Sequence, residues 1–152
     1  MQIQCAQIGD LSEILQLQRL AWREEAEKIQ NLNIQPLMQT IEEIHGELVS
    51  GIILKAVGES GEIIGSVRGR IESGTLYIGK LMVHPKHQNQ GIGRLLLAAI
   101  ENMFPQCRCE LFTNGKNPKN LYFYESAGYI QLKEEAVSDL LSFIYFEKPP
   151  RL

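Results

Sequence analysis

The stretch "QNQGIGRLLLAAI", Gln88 to Ile100, changes character at Arg94: it is polar and glycine-spaced before that residue and afterwards runs apolar, like a buried helix. A glycine inside a helix weakens it by about 1 kcal/mol relative to alanine. Gly91 and Gly93 must therefore serve something other than helix stability. A helix N-terminus exposes unpaired backbone N–H groups and carries about half a positive charge, so an anion placed there is stabilised. Glycine lets the anion's oxygens come close. A strand, a tight polar turn and a helix thus make a phosphate cradle, with Lys86, His87 and Arg94 near enough to add charge. Taken alone, Gly-x-Gly fits equally well a tight turn beneath a packed helix.

The flanking sequence places this turn in an α/β chain. Asp10, Leu11, Ser12 and Glu13 read as a capping-box start, and Leu11, Ile14, Leu15, Ala21, Trp22 and Ile29 recur at nearly helical spacing, predicting a first helix to about Gln30. Pro36 opens a second, with Leu37, Ile41, Ile44 and Leu48 as its buried stripe, ending near Gly51. The period then shortens. Ile52 to Gly58, Glu62 to Arg70 and Leu76 to His84 read as consecutive antiparallel strands joined by hairpin turns. The glycine turn and a third helix to Phe104 follow, and then a strand from Cys107 to Thr113 that should run parallel to Leu76–His84, because a helix separates them. Pro118 to Gly128 frames a fourth helix, and strands over Tyr129 to Glu134 and Leu141 to Lys148 close the chain. These elements predict one α/β domain, residues 1–152, around a mixed sheet of about six strands with about four helices.

Composition narrows the function classes. A chain of 152 residues that is 44% hydrophobic and 22% charged is an ordinary globular domain, able to bury a core without disulfides or metals. A net charge of -3 argues against nucleic acid as the main partner, and no apolar run approaches the roughly 20 residues that would span a membrane. The N-terminus reads as no export signal, so a cytoplasmic location is expected. Cys5, Cys107 and Cys109 have neither disulfide nor metal-site spacing and read as small apolar residues; no metal is expected. Self-association into a homodimer is left open.

Two nucleotide readings fail on spacing. The triphosphate loop needs a lysine and a hydroxyl where Arg94 and Leu95 follow Gly93, and the dinucleotide fingerprint needs a third glycine in the chain's first βαβ unit. Instead, "LYIGKLMVHPKHQNQGIGRLLL" resembles the acetyl-CoA-binding motif of GNAT N-acetyltransferases, [QR]-x-x-G-x-[GA], with Gln88, Asn89, Gln90, Gly91, Ile92 and Gly93 in register. The later "NPKNLYFYESAGY" is similar to the family's N-x-x-A-x-x-x-Y-[ED]-x-x-G-[FY], matched by Asn117, Tyr124, Glu125, Gly128 and Tyr129, with Asn120 in place of the alanine.

The resemblance implies a splayed central parallel pair, and acetyl-CoA as cosubstrate with its pyrophosphate on the backbone N–H groups of Gln88 to Arg94. Its pantetheine arm would pair with the backbone of Leu81, Met82 and Val83 like an added strand, and Asn117 would assist in binding. An N–H of the Leu81–Val83 segment would polarise the thioester carbonyl. Tyr124 is the matched general acid for the leaving thiolate; without the resemblance it reads as a half-buried helix tyrosine beside Tyr122 and Phe123. Relatives often carry a glutamate base on the strand that holds the thioester, and none stands between Leu76 and Leu81. Water relayed to Glu24, Glu25, Glu72 or Glu110 is the substitute, with His45 and His84 as further candidates. The expected activity is direct acetyl transfer to a primary amine of a small molecule or protein. A non-catalytic acyl-CoA sensor on the same fold is the alternative. The acidic segments "EEAEKIQNLNIQPL" and "EEAVSDLLS" give a faint hint of a cationic acceptor.

Overall fold

The computed structural model describes residues 1–151. In chain order its elements are β1 (Gln2–Cys5), α1 (Leu11–Lys28), α2 (Gln35–Met38), α3 (Ile41–Ser50), β2 (Ile52–Val57), β3 (Ile63–Glu72), β4 (Thr75–Val83), α4 (Ile92–Met103), β5 (Arg108–Asn114), α5 (Pro118–Ser126), β6 (Ile130–Ala136) and β7 (Ser142–Lys148). The seven strands form one sheet in the order β1-β2-β3-β4-β5-β7-β6. All neighbours are antiparallel except β4 and β5, the parallel pair expected from the intervening helix.

Two elements depart from the sequence expectation. The sheet has a seventh strand, β1, at one edge; Ile3 and Cys5 alternate there with Gln2 and Gln4, but four residues of which only Ile3 is even half-buried are a signal too short to stand out. The helix expected from Pro36 to Gly51 is two helices. Gln39 turns extended (φ -60, ψ 136) and Thr40 starts α3 with a full capping box, its hydroxyl accepting from the Glu43 N–H. The break sends the Gln39 side chain inward, where it is buried. At the start of α1 the residues expected to cap it do other work: Asp10 Oδ2 accepts from the Gln7 N–H and from Lys55 Nζ at 2.8 Å, and Glu13 accepts from the Ile63 N–H.

Cores form on both faces of the sheet. On one, Ile92, Leu96, Leu97 and Ile100 of α4 join Leu76, Leu111 and Phe146. On the other, Leu11, Ile14 and Leu17 of α1 and Ile44 of α3 cover Ile53 and Met82. Each such side chain contributes about 1.5–3 kcal/mol of burial, which anchors the helices that frame the site. Cys107 and Cys109 are buried and free, as small core residues.

The central strands part company. β4 and β5 pair only from Thr75↔Arg108 to Tyr77↔Glu110, although β4 stays paired with β3 to Val83 and β5 with β7 to Asn114. Between Arg68↔Gly79 and Ser66↔Met82 the register of β3 and β4 slips, so Lys80 and Leu81 stand opposite Val67 alone. Lys80 takes φ +51 there, a left-handed conformation uncommon for a non-glycine residue. A bulge of this kind bends its strand, here next to the point where β4 leaves β5. The sheet opens along its middle.

Candidate functional site

At the N-terminus of α4, Gly91 sits at φ +83 and no side chain caps the helix. The first helical bond there is Leu95 N–H to Gly91 O at 3.1 Å. Among the described residues, the backbone N–H groups from Gln88 to Arg94 donate to no protein acceptor. These unmet donors lie in consecutive residues at the start of α4, where an anion would satisfy several together. A Cβ placed on Gly93 would lie 3.7 Å from Phe123 and Val83, ordinary contact distance, so packing alone does not demand glycine at that position.

The sequence-predicted neighbours divide. Gln88 Nε2 donates to Val83 O at 3.3 Å, tying the turn to the end of β4. Arg94 reaches away from the turn to α5, donating to Ser126 Oγ at 2.7 Å with its guanidinium 5.6 Å from the Phe123 ring centre. Asn117 caps α5, its Oδ1 accepting from the Lys119 N–H, and its Nδ2 makes no bond among the described residues. Asn120 ties α5 to β5 by donating to Thr113 Oγ1 at 3.0 Å, a bond the family's alanine could not make. His84 Nδ1 accepts from the Lys86 N–H and shapes the turn that follows β4.

The gap between β4 and β5 leaves a backbone edge open. His84 N–H donates to Ile64 O on the β3 side, so by strand alternation Met82 faces the same way and Leu81 and Val83 turn their backbone groups toward the gap. The Met82 side chain is buried in the core beneath α1, while those of Leu81 and Val83 pack at the margin of the core beneath α4.

Tyr124 projects from α5 onto the central core. Its ring lies 5.8 Å from Phe146, 6.0 Å from Tyr129 and 5.0 Å from Phe123, centre to centre. Among the described residues its hydroxyl has no hydrogen-bond partner, and burial raises its pKa above the ordinary phenol value. A phenol so placed keeps its proton at every working pH and has it free to donate.

On the α1/α3 side, a cavity of about 400 Å³ opens where β4 and β5 diverge, lined by Glu47, Arg68, Arg70, Lys80, Glu110 and Tyr145 among others. Of the carboxylates considered as proton acceptors, Glu110 alone lines it, and it pairs with Arg108 at 2.8 Å. Glu25 accepts from Asn114 Nδ2 at the end of β5, and Glu24 and Glu72 are exposed partners of Lys28 and Arg70. His45 lies on the surface of α3, outside this cavity.

Sequence reading missed the polar floor of the cavity. Arg68, 4% exposed, donates to Gln39 at 2.8 Å, to Glu47 at 3.3 Å and to Gln18, whereas its Nε is buried with no acceptor. Burial lowers the Arg68 pKa, and Glu47 opposes that shift. Lys80 is likewise held below the ordinary lysine value, first by burial and further by Arg68, with Glu47 pulling the other way. An arginine following Val67 in β3 and a lysine preceding Leu81 in β4 were the available signal. Among the described residues no cluster of His, Cys, Asp and Glu is arranged to hold a metal, and no helix is long and apolar enough to cross a membrane.

Comparison with known proteins places this geometry. Residues 11–129 match the model of the acetyltransferase (GNAT) family. No curated protein sequence matches the chain. Among solved structures, the PaiA N-acetyltransferase of Thermoplasma acidophilum in complex with coenzyme A is similar with a TM-score of 0.80 and 20% identity, over 98% of this chain and 99% of that one. The ribosomal-protein-S18-alanine N-acetyltransferase of Escherichia coli gives 0.82 and 15%, over 99% and 94%. A phosphinothricin acetyltransferase of Sinorhizobium meliloti, solved with acetyl-CoA, gives 0.78 and 13%, over 99% and 88%. Identities this low speak to fold, but the family model spans well over half of the sequence, and the chain belongs to the GNAT acetyltransferase family.

Proposed function

We propose that this protein transfers an acetyl group from acetyl-CoA directly to a primary amine. The observation that carries the reading is the row of unpartnered N–H groups from Gln88 to Arg94 beside the open edge of β4. Those amides, with Gly93 leaving room for close approach, fit the pyrophosphate of the coenzyme. Leu81 and Val83 offer backbone groups to the pantetheine amides, and one of their N–H groups donates to the thioester carbonyl oxygen. Arg94 swings from Ser126 to the phosphates, and Asn117 Nδ2 adds a donor from the start of α5. When bound, acetyl-CoA supplies the activated acetyl group.

The chain then manages protons. Tyr124 gives its phenolic proton to the departing sulfur. The amine must arrive uncharged or lose its proton in the cavity, where Glu110, the one lining residue among the acids expected from the sequence, takes it through water. Thermal shift with acetyl-CoA and with CoA, followed by thiol release across a panel of amines, tests the reading. A raised melting temperature with turnover supports it; a shift without turnover on any amine makes the chain a coenzyme sensor, and no shift at millimolar ligand removes the cradle.

A further inference from the structure

The cavity beside the β4/β5 divergence carries a charge excess that bears on the acceptor. Its walls hold three cations, Arg68, Arg70 and Lys80, and two acids, Glu47 and Glu110. Most are already matched. Glu110 is engaged by Arg108, Arg70 by Glu72 at 2.6 Å, and Glu47 by Arg68 and Gln39. Among the described residues Lys80 has no carboxylate within 4.0 Å, and the guanidinium of Arg68, which lines the same cavity, keeps one buried donor unmet. The bulge at Lys80 fixes this unpaired ammonium on the cavity wall, in the segment that precedes the open backbone edge. A half-buried cation that makes no ion pair of its own, its attracting carboxylate Glu47 being engaged by Arg68, is poorly solvated, and an anionic ligand group relieves it.

The geometry points to an acceptor that carries a carboxylate as well as its amine, a small aminocarboxylate whose carboxylate pairs with Lys80 while its amine faces the gap. This deepens the reading of the chain as an acetyltransferase and rests on it. It reverses the hint from the acidic segments, which lie outside the cavity lining. A volume of about 400 Å³ suits a small molecule. In the transfer, the amine nitrogen forms a bond to the acetyl carbon, the carbon–sulfur bond breaks, the amine gives up one proton, and the sulfur leaves as a thiol.

The test uses the full chain with acetyl-CoA and matched acceptors: glycine, β-alanine and L-glutamate against glycinamide, ethanolamine, spermidine and kanamycin. At least one aminocarboxylate should exceed every uncharged or polycationic amine in kcat/KM by about tenfold or more, the discrimination a charge-assisted contact supplies. Lys80→Met, and Lys80→Gln as a second variant with folding checked by circular dichroism, should reduce that preference to near unity. Better turnover of spermidine, kanamycin or an uncharged amine overturns the inference, as does a preference unchanged in both variants. Calorimetry separates this failure from failure of the function. Absent coenzyme binding sinks the acetyltransferase reading, whereas coenzyme binding with no aminocarboxylate binding to the CoA-loaded protein sinks the carboxylate site alone.

Discussion

The Tyr129 hydroxyl donates to Glu101 Oε2 at 2.6 Å, joining the loop after α5 to the end of α4 through a carboxylate that is only 5% exposed. The other oxygen of Glu101 accepts from Lys148 Nζ at 3.1 Å, and Lys148 also lies 5.5 Å from the centre of the Tyr129 ring. A buried carboxylate survives on such paired contacts. The arrangement clamps α4, whose first turn is the proposed anion cradle, to β7 and to the segment following Tyr124.

Tyr129→Phe should therefore lower stability by about 1–3 kcal/mol, the usual consequence of stranding a buried polar group. Urea unfolding measures it. Coenzyme affinity, read under conditions where the variant is folded, should change little, because Tyr129 sits at the far end of α4 from the cradle. A midpoint equal to wild type would mean that water replaces the phenol at Glu101.

Gly93 gives the cleanest probe of the cradle. A left-handed residue such as Gly91 resists substitution for conformational reasons, so loss of binding there would mix strain with geometry. Gly93 carries no such constraint, and its added Cβ would meet only van der Waals neighbours. Gly93→Leu should keep the apo melting temperature within a few degrees while abolishing the thermal shift given by CoA. Retained binding would place the phosphates elsewhere.

Tyr124→Phe tests the proton donor. Burial holds the phenol above its ordinary pKa, so the wild-type group stays protonated throughout the neutral range. The variant should lose about 10²-fold in kcat, the low end for a general acid, with the KM for acetyl-CoA little altered. Equal activity across pH would remove Tyr124 from the mechanism and leave it as a packing residue against Phe146.

Which parts were legible in the sequence follows from how local their causes are. The strands that became β4 and β5, the helix α4 between them and the turn at Gly91 and Gly93 all carry their signal within a short window of apolar period and glycine spacing. β1 carries only the four-residue alternation of Gln2, Ile3, Gln4 and Cys5, too short to outweigh its exposure, and it gains its place by pairing with β2. The break before α3 was written as Thr40 and Glu43, yet Leu37, Ile41, Ile44 and Leu48 keep a helical spacing across it, and the wrong signal prevailed. Arg68 itself stands out inside β3, but its network does not, because Gln18 lies 50 residues from it and Gln39 lies 29 away. Nothing local to "IGKLMV" foretells a left-handed Lys80 either, because the bulge is a property of the pairing with β3.

Lys80 also links stability to pH. Burial lowers its pKa in the folded protein below the value of about 10.4 that an unfolded lysine keeps. Between those two values the unfolded chain binds more protons, so stability rises with pH; it is greatest above the unfolded pKa and is lost as pH falls through the folded one. Lys80→Met removes the ionisation. The variant should be more stable than wild type at pH 7, and its advantage should shrink as pH climbs toward 10.4, read as urea midpoints across that range. Parallel curves for the two proteins would show that the ammonium is solvated at no penalty. A more stable variant that has also lost its choice of acceptor would mark Lys80 as a residue kept for function at the expense of the fold.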